Sequence, residues 1–202
     1  MKRIVIVLLA LALATFAFAE GFCFKGYVNG GINEPGMLGT SVGGYYHNTT
    51  ETGYNVRLGA RKHLNDFYVM PEALPLELQF GLGFQQNPAK GSTSEDLTAL
   101  TFNMDFLYPV HEIVSIPLIG ISPFLGLEYD FHMYRNGNGG ETWNAHMIGI
   151  NAGIMFDLDL SERLALELTM ANPFNFGLSS RIPKVFTSQA YANLGLSYVF
   201  EL

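Results

Sequence analysis

Taken two residues at a time, the closing stretch QAYANLGLSYVFEL separates into two sets. Ala190, Ala192, Leu194, Leu196, Tyr198 and Phe200 are all apolar, while Tyr191, Asn193, Gly195, Ser197 and Val199 are mixed. Side chains alternate across a strand, so a period of two marks a strand with one greasy face. The same alternation returns seven more times. LELQFGLGFQ sets Leu76, Leu78, Phe80, Leu82 and Phe84 against Glu77, Gln79, Gly81, Gly83 and Gln85. FCFKGYVNGGI, GYNVRLGARKH, LTALTFNMDFLY, PFLGLEYDFH, WNAHMIGINAGIMFDLDL and LALELTMA follow the same rule. Eight strands are therefore predicted. Linkers rich in Gly, Asn, Ser and Thr join them at 33–52, 87–96, 133–142 and 172–187, and a tight turn at Ser161-Glu162-Arg163 joins the last pair but one. Segment 37–46 reads as an extension of the first hairpin. The linkers around 63–75 and 109–121 carry Pro71, Pro75, Pro109 and Pro117 and are longer than a plain turn requires.

The composition of the two faces decides which one meets water. Within the central part of each strand the apolar face holds no Asp, Glu, Lys or Arg, and the other face holds Lys25, Arg57, Glu77, Asp105, Glu128, Asp130 and Glu167. That second face is otherwise Gly, Asn, Ser and Thr, residues that fit a narrow tube, whereas a soluble sandwich loads its wet face with Lys and Glu. An eight-stranded barrel is just wide enough to be filled by side chains, too narrow for the bulky set. The apolar face is thus assigned outward, to lipid. Strands of about ten tilted residues match the hydrocarbon thickness, and closure follows because an open edge in lipid strands backbone groups without partners. Phe22, Tyr54, Tyr108, Tyr129, Phe131, Trp143, Phe156, Tyr198 and Phe200 gather near strand ends, as interfacial girdles do.

The amino terminus agrees with export. Met1-Lys2-Arg3, the apolar run from Ile4 to Phe18 and the small-x-small sequence Ala17-Phe18-Ala19 read as a signal peptide over residues 1–19, leaving residues 20–202 as one barrel domain. Cys23 suggests a lipoprotein signal as competitor, but Phe22 before it is too bulky for that cleavage site. Without Lys2 and Arg3, nine basic residues face 18 acidic ones, so no basic face for nucleic acid exists. A single cysteine rules out a disulfide within the chain.

With its AFA leader, eight alternating segments and closing YANLGLSYVF, the chain resembles the small OmpA-like and OmpX-like outer-membrane β-barrels. The resemblance implies an all-β, closed antiparallel eight-stranded transmembrane barrel in the bacterial outer membrane, with both termini in the periplasm and the long linkers outside. It implies outer-membrane lipid and the outer-membrane assembly machinery as partners. Tyr198 and Phe200 would carry the assembly signal, although Glu201 and Leu202 follow the aromatic residue.

Lys25, Arg57, Arg61, Glu77, Asp105, Glu128, Asp130 and Glu167 are expected to form a charge network inside the barrel. Strand direction places Arg57, Glu128 and Glu167 near mid-height, with Lys25, Glu77 and Asp105 lower. A structural or surface-contact role for a monomer follows, with Tyr45, Tyr46, Trp143 and Phe174 as loop contact residues for an extracellular ligand. Three alternatives compete: a small gated pore with a weak cation preference, a lipid-modifying enzyme, and a soluble lipocalin-like binder with the faces reversed. An enzyme would need a histidine near a nucleophile; the candidates are His47, His132 and His146 with Asp130, Ser41 or Ser179, and none lies in a recognisable acylase motif. No His or Cys pair has metal-ligand spacing in one loop, so neither metal nor cofactor is expected.

Overall fold

A computed structural model describes residues 23–35, 51–64, 75–89, 95–110, 119–136, 142–178 and 186–201. Residues 1–19, read above as a signal peptide, segment 37–46, and His47, Ser41, Ser179, Tyr45 and Tyr46 lie outside them. The described chain is nearly all strand: β1 Cys23–Pro35, β2 Gly53–His63, β3 Glu77–Asn87, β4 Glu95–Leu107, β5 Ile119–Asn136, β6 Thr142–Asp159, β7 Leu164–Ala171, β8 Phe174–Gly177 and β9 Phe186–Glu201. Each strand pairs antiparallel with its neighbour round the wall, and β1 closes on β9 from Cys23 opposite Glu201 to Pro35 opposite Gln189. No edge remains among the described strands, which satisfies the backbone in a solvent that offers it no hydrogen bonds.

Nine strands make an eight-stranded barrel because β7 and β8 share one place. β6 pairs Gly153 with Ala171 and, in the same register, Ile150 with Phe174. β9 likewise pairs Tyr191 with Ala171 and Ser188 with Phe174. The interruption is chemical: Pro173 accepts a long bond from the Gln189 amide at 3.4 Å but has no N–H to return. Linker 172–187 is corrected accordingly, since it contains β8 and the start of β9. Phe174 and Trp143, expected in loops, belong to strands β8 and β6. Linkers 133–142 and 109–121 shrink as well, because β5 runs to Asn136 and begins at Ile119. Pro123 is tolerated inside β5 because its carbonyl meets Tyr108 just past the end of β4, where a missing N–H interrupts no ladder.

The greasy face points outward on every long strand. Ile32, Leu125 and Leu194 are 58–60 % exposed, while the inward Asn151 and Asn193 are wholly buried. A water-soluble protein does not leave a continuous belt of Val, Leu, Ile and Phe uncovered, so the lipocalin-like alternative is excluded by the faces themselves. Alternation lapses near the barrel end where the chain termini meet: Arg61 and Lys62 are consecutive and both buried. Aromatic residues mark both rims. Tyr54 donates to Gln86 at 2.6 Å at one end, and Phe24 stacks on Phe200 with centroids 5.1 Å apart at the other.

Inward glycines hold space for their neighbours' side chains. A Cβ on Gly59 or Gly81 would lie 2.6 or 2.3 Å from the Tyr27 hydroxyl, so the phenol of β1 lies across two glycines of β2 and β3. Gly83 admits the stem of Arg57 in the same way, its Cβ position being 3.1 Å from Arg57 Cγ. Small residues on the polar face are thus what lets large ones cross a narrow tube.

Candidate functional site

The inward faces converge on a polar interior. Nearest the terminal end, Arg61 of β2 meets Glu167 of β7 at 2.7 Å and Glu77 of β3 at 3.8 Å, and His63 Nε2 lies 3.3 Å from Glu77. Higher up, Arg57 donates to Glu128 of β5 at 3.0 Å and its guanidinium lies 4.0 Å over the ring of Tyr191. The two shortest of these ion pairs bridge strands that are not neighbours, Arg57 to Glu128 from β2 to β5 and Arg61 to Glu167 from β2 to β7. Taking such charges out of water is costly, and an unpartnered one costs several kcal/mol, so these pairs hold by geometry and mutual satisfaction.

Carboxylates outnumber arginines here, and amides make up the difference. Asp105 accepts from Asn103, from Asn151 at 3.1 Å and from Gln79 at 3.4 Å. Asp130 accepts from Asn175 at 2.5 Å and faces His132 Nε2 at 3.5 Å, whose Nδ1 is 3.0 Å from the Tyr134 hydroxyl. Asn193 donates to Asn29 at 3.1 Å and to Asn55 at 2.6 Å, and Asn33 donates to Asn87 at 2.6 Å across β2. Because the amides spend their N–H groups on acceptors, Oδ1 of Asn103, Asn151, Asn175 and Asn193 is left without a partner among the described residues.

All eight charged residues singled out from the sequence lie on the inward parity, but they form separate clusters rather than one network. Glu167, expected level with Arg57, meets Arg61 instead, because the stagger of a closed barrel carries a side chain off its own row. Lys25 is half-buried at the terminal mouth. Sequence reasoning put asparagines on this face but missed that they, with the two lumenal tyrosines Tyr27 and Tyr191, partner the charges. Their signal was present in the inward parity they share with the charges.

Among the described residues, the candidate histidines His132 and His146 are not brought together. His132 is buried in the lumen, whereas His146 lies on the outer face with Nδ1 2.6 Å from the Tyr129 hydroxyl. The two stand on opposite sides of the barrel wall. His132 Nε2 has no hydrogen-bond partner among the described residues, and the one hydroxyl its ring meets there is the Tyr134 phenol, at Nδ1. Among the described residues no group of three His, Cys, Asp or Glu could hold a metal ion.

A closed eight-stranded wall, an uncovered apolar belt and a filled polar interior decide the architecture. The fold is that of the small outer-membrane β-barrels. Solved structures agree. A major outer membrane protein from Thermus thermophilus is 16 % identical over 88 % of this chain and 99 % of its own, with a TM-score of 0.54. Neisserial surface protein A is 12 % identical over 88 % and 97 %, with a TM-score of 0.54, and OprG from Pseudomonas aeruginosa 13 % identical over 88 % and 96 %, with a TM-score of 0.52. No protein-family model and no curated protein sequence matches the chain. The likeness is one of backbone, carried by strand number and closure. The chain is an integral outer-membrane-type barrel, and the OmpA-like architecture read from the sequence stands.

On this barrel Tyr198 and Phe200 sit together on the outer face of β9, ring centroids 4.9 Å apart and edge to face. The Phe200 ring also lies over Gly26 of β1, whose Cβ position would be 2.9 Å from it, so the last strand is sealed to the first by an aromatic filling a glycine gap. Glu201 is held by Arg163 of the hairpin turn at 2.7 Å.

Proposed function

We propose that this protein is a non-conducting, non-enzymatic scaffold of the bacterial outer membrane that presents its loops at the cell surface and supports the envelope. The observation that carries this reading is the lumen: two buried arginine–carboxylate pairs and a set of cross-barrel amides occupy the path that a pore would need. Eight-stranded barrels have room for side chains and little else. With both described ends at one mouth, the periplasmic one, the linkers after β1, β3 and β5 face outside. The assembly machinery would read Tyr198 and Phe200 on the outer face of β9, the lipid would cover the belt, and any ligand would meet the loops of a monomer. Opposite placement of His132 and His146 supports the absence of catalysis.

The runner-up is a gated pore with a weak cation preference, favoured by the surplus of lumenal carboxylates over arginines. Planar-bilayer recording separates the two. The scaffold reading expects no steady conductance from the refolded mature chain. Stable openings that favour cations in the wild-type protein would replace it with the pore.

A further inference from the structure

At the terminal mouth the lumen widens into a cavity of about 200 Å³. Its walls are of opposite charge. Lys25 of β1 and Arg61 and Lys62 of β2 line one side, and Asp157 and Asp159 of β6 line the other, several strands away round the barrel in either direction. Glu77 also lines the cavity but is drawn to Arg61 and His63 on the cationic side. The Asp157 carboxylate lies flat over Gly120, whose Cβ position would be 2.3 Å from Oδ2, so it is braced against the wall where Ser122 stands two residues along.

Two buried polar groups in this lining have no partner. Ser122 Oγ and Arg61 Nε are unbonded among the described residues, although both side chains belong to residues only 1 % exposed. A buried hydroxyl and a buried guanidinium N–H left unmade carry their full desolvation penalty, and a polar ligand at this place would recover it. An ion of one sign is attracted by one wall and repelled by the other. A molecule carrying both signs is attracted by both, and a dipeptide sets its termini about 7 Å apart, a span suited to a lumen one side chain wide.

We propose that this mouth is a binding site for a small zwitterion bearing a free ammonium and a free carboxylate, either an amino acid or the end of a short peptide. Its carboxylate lies toward Lys25, Lys62 and Arg61 Nε, and its ammonium toward Asp157, Asp159 and Ser122 Oγ.

The test uses the chain's one cysteine, Cys23, which is exposed and lines the same cavity. An environment-sensitive thiol dye on Cys23 of the detergent-refolded protein is titrated with alanylalanine, N-acetyl-alanylalanine, alanylalanine amide and free alanine, and calorimetry on the unlabelled protein checks each curve. Saturable binding of alanylalanine, at least tenfold weaker for both blocked forms, is the expected result. Free alanine binding as well as the dipeptide assigns an amino acid; dipeptide alone assigns a peptide end. Asp157→Asn should remove the preference for a free ammonium and Lys25→Gln the preference for a free carboxylate. Ser122→Ala should weaken binding several-fold without loss of folding, since its hydroxyl has no partner to lose; heat-sensitive gel mobility verifies the fold of each variant. No saturable binding, or equal binding of the blocked and free dipeptides, overturns the site.

Discussion

The consequence of each residue is set by which side of the wall it occupies. Leu82 is the middle residue of β3, half exposed, and stands in a lipid-facing row between Leu58 and Phe102. Leu82→Arg should therefore cost about 2–4 kcal/mol, the penalty of a cation near the bilayer midplane, as read by a urea titration of folding into vesicles. No loss would reverse the face assignment. One residue along, the inward Gly83 gives way to the stem of Arg57, and there the physics changes from lipid transfer to pairing. Removing Arg57 alone leaves Glu128 buried and unpaired, at about 3–5 kcal/mol, whereas replacing both by apolar residues of similar volume should cost much less. A double-mutant cycle over Arg57→Met and Glu128→Leu, followed by the same titration, is expected to show strong coupling. Additive losses would mean that the two charges are satisfied independently. The face of each residue was legible in the sequence because alternation needs only neighbours in the chain. The pairing was not, since Arg61 finds Glu167 through the stagger of closure, which lies in no local pattern.

Among the elements, the joint between β7 and β8 departs most from a plain strand. Register is unbroken across Asn172-Pro173, and Asn172 still donates its amide to Ala152 at 3.0 Å. Only the rung to Gln189 is weakened. Pro173→Ala would restore an N–H worth about 0.5–1.5 kcal/mol net and would give back about 0.4–1 kcal/mol of unfolded-chain freedom. These nearly cancel. Global stability should stay within about 1 kcal/mol, while amide exchange at Gln189 slows several-fold as the rung tightens. Unchanged exchange would place the weakness in Asn172 and its bond from Ser188 Oγ at 2.5 Å. The sequence hid β8 for the reason that makes it short: four residues, FNFG, behind a proline and one residue ahead of the polar Ser179-Ser180-Arg181, look like loop until strands on both sides supply partners. The hairpin at Ser161 was legible because it is local. There Ser161 Oγ accepts from the amides of Arg163 at 3.4 Å and Leu164 at 3.1 Å within the turn.

For the molecule as a whole, the distribution of polarity is the inverse of a soluble protein, and folding must follow the solvent. The interior is asparagine, carboxylate and guanidinium; the exterior is leucine, isoleucine and phenylalanine. In plain buffer the belt remains wet whether the chain is folded or not, so closure gains little of the usual hydrophobic term, about 25 cal/mol per Å² removed from water, against the full entropy cost of ordering the strands. In detergent the belt is covered and the backbone has no partner but the neighbouring strand, which drives complete closure. The barrel segment, residues 20–202, should therefore give a compact, heat-sensitive species on an unheated gel after refolding in micelles, and none after refolding in buffer. A folded monomer in buffer would mean that the exposed apolar face has found cover within the chain, and would overturn the membrane reading along with every prediction that rests on lipid at Leu82. The contrast between the two solvents is sharper than any single substitution, because it tests all the outward faces at once.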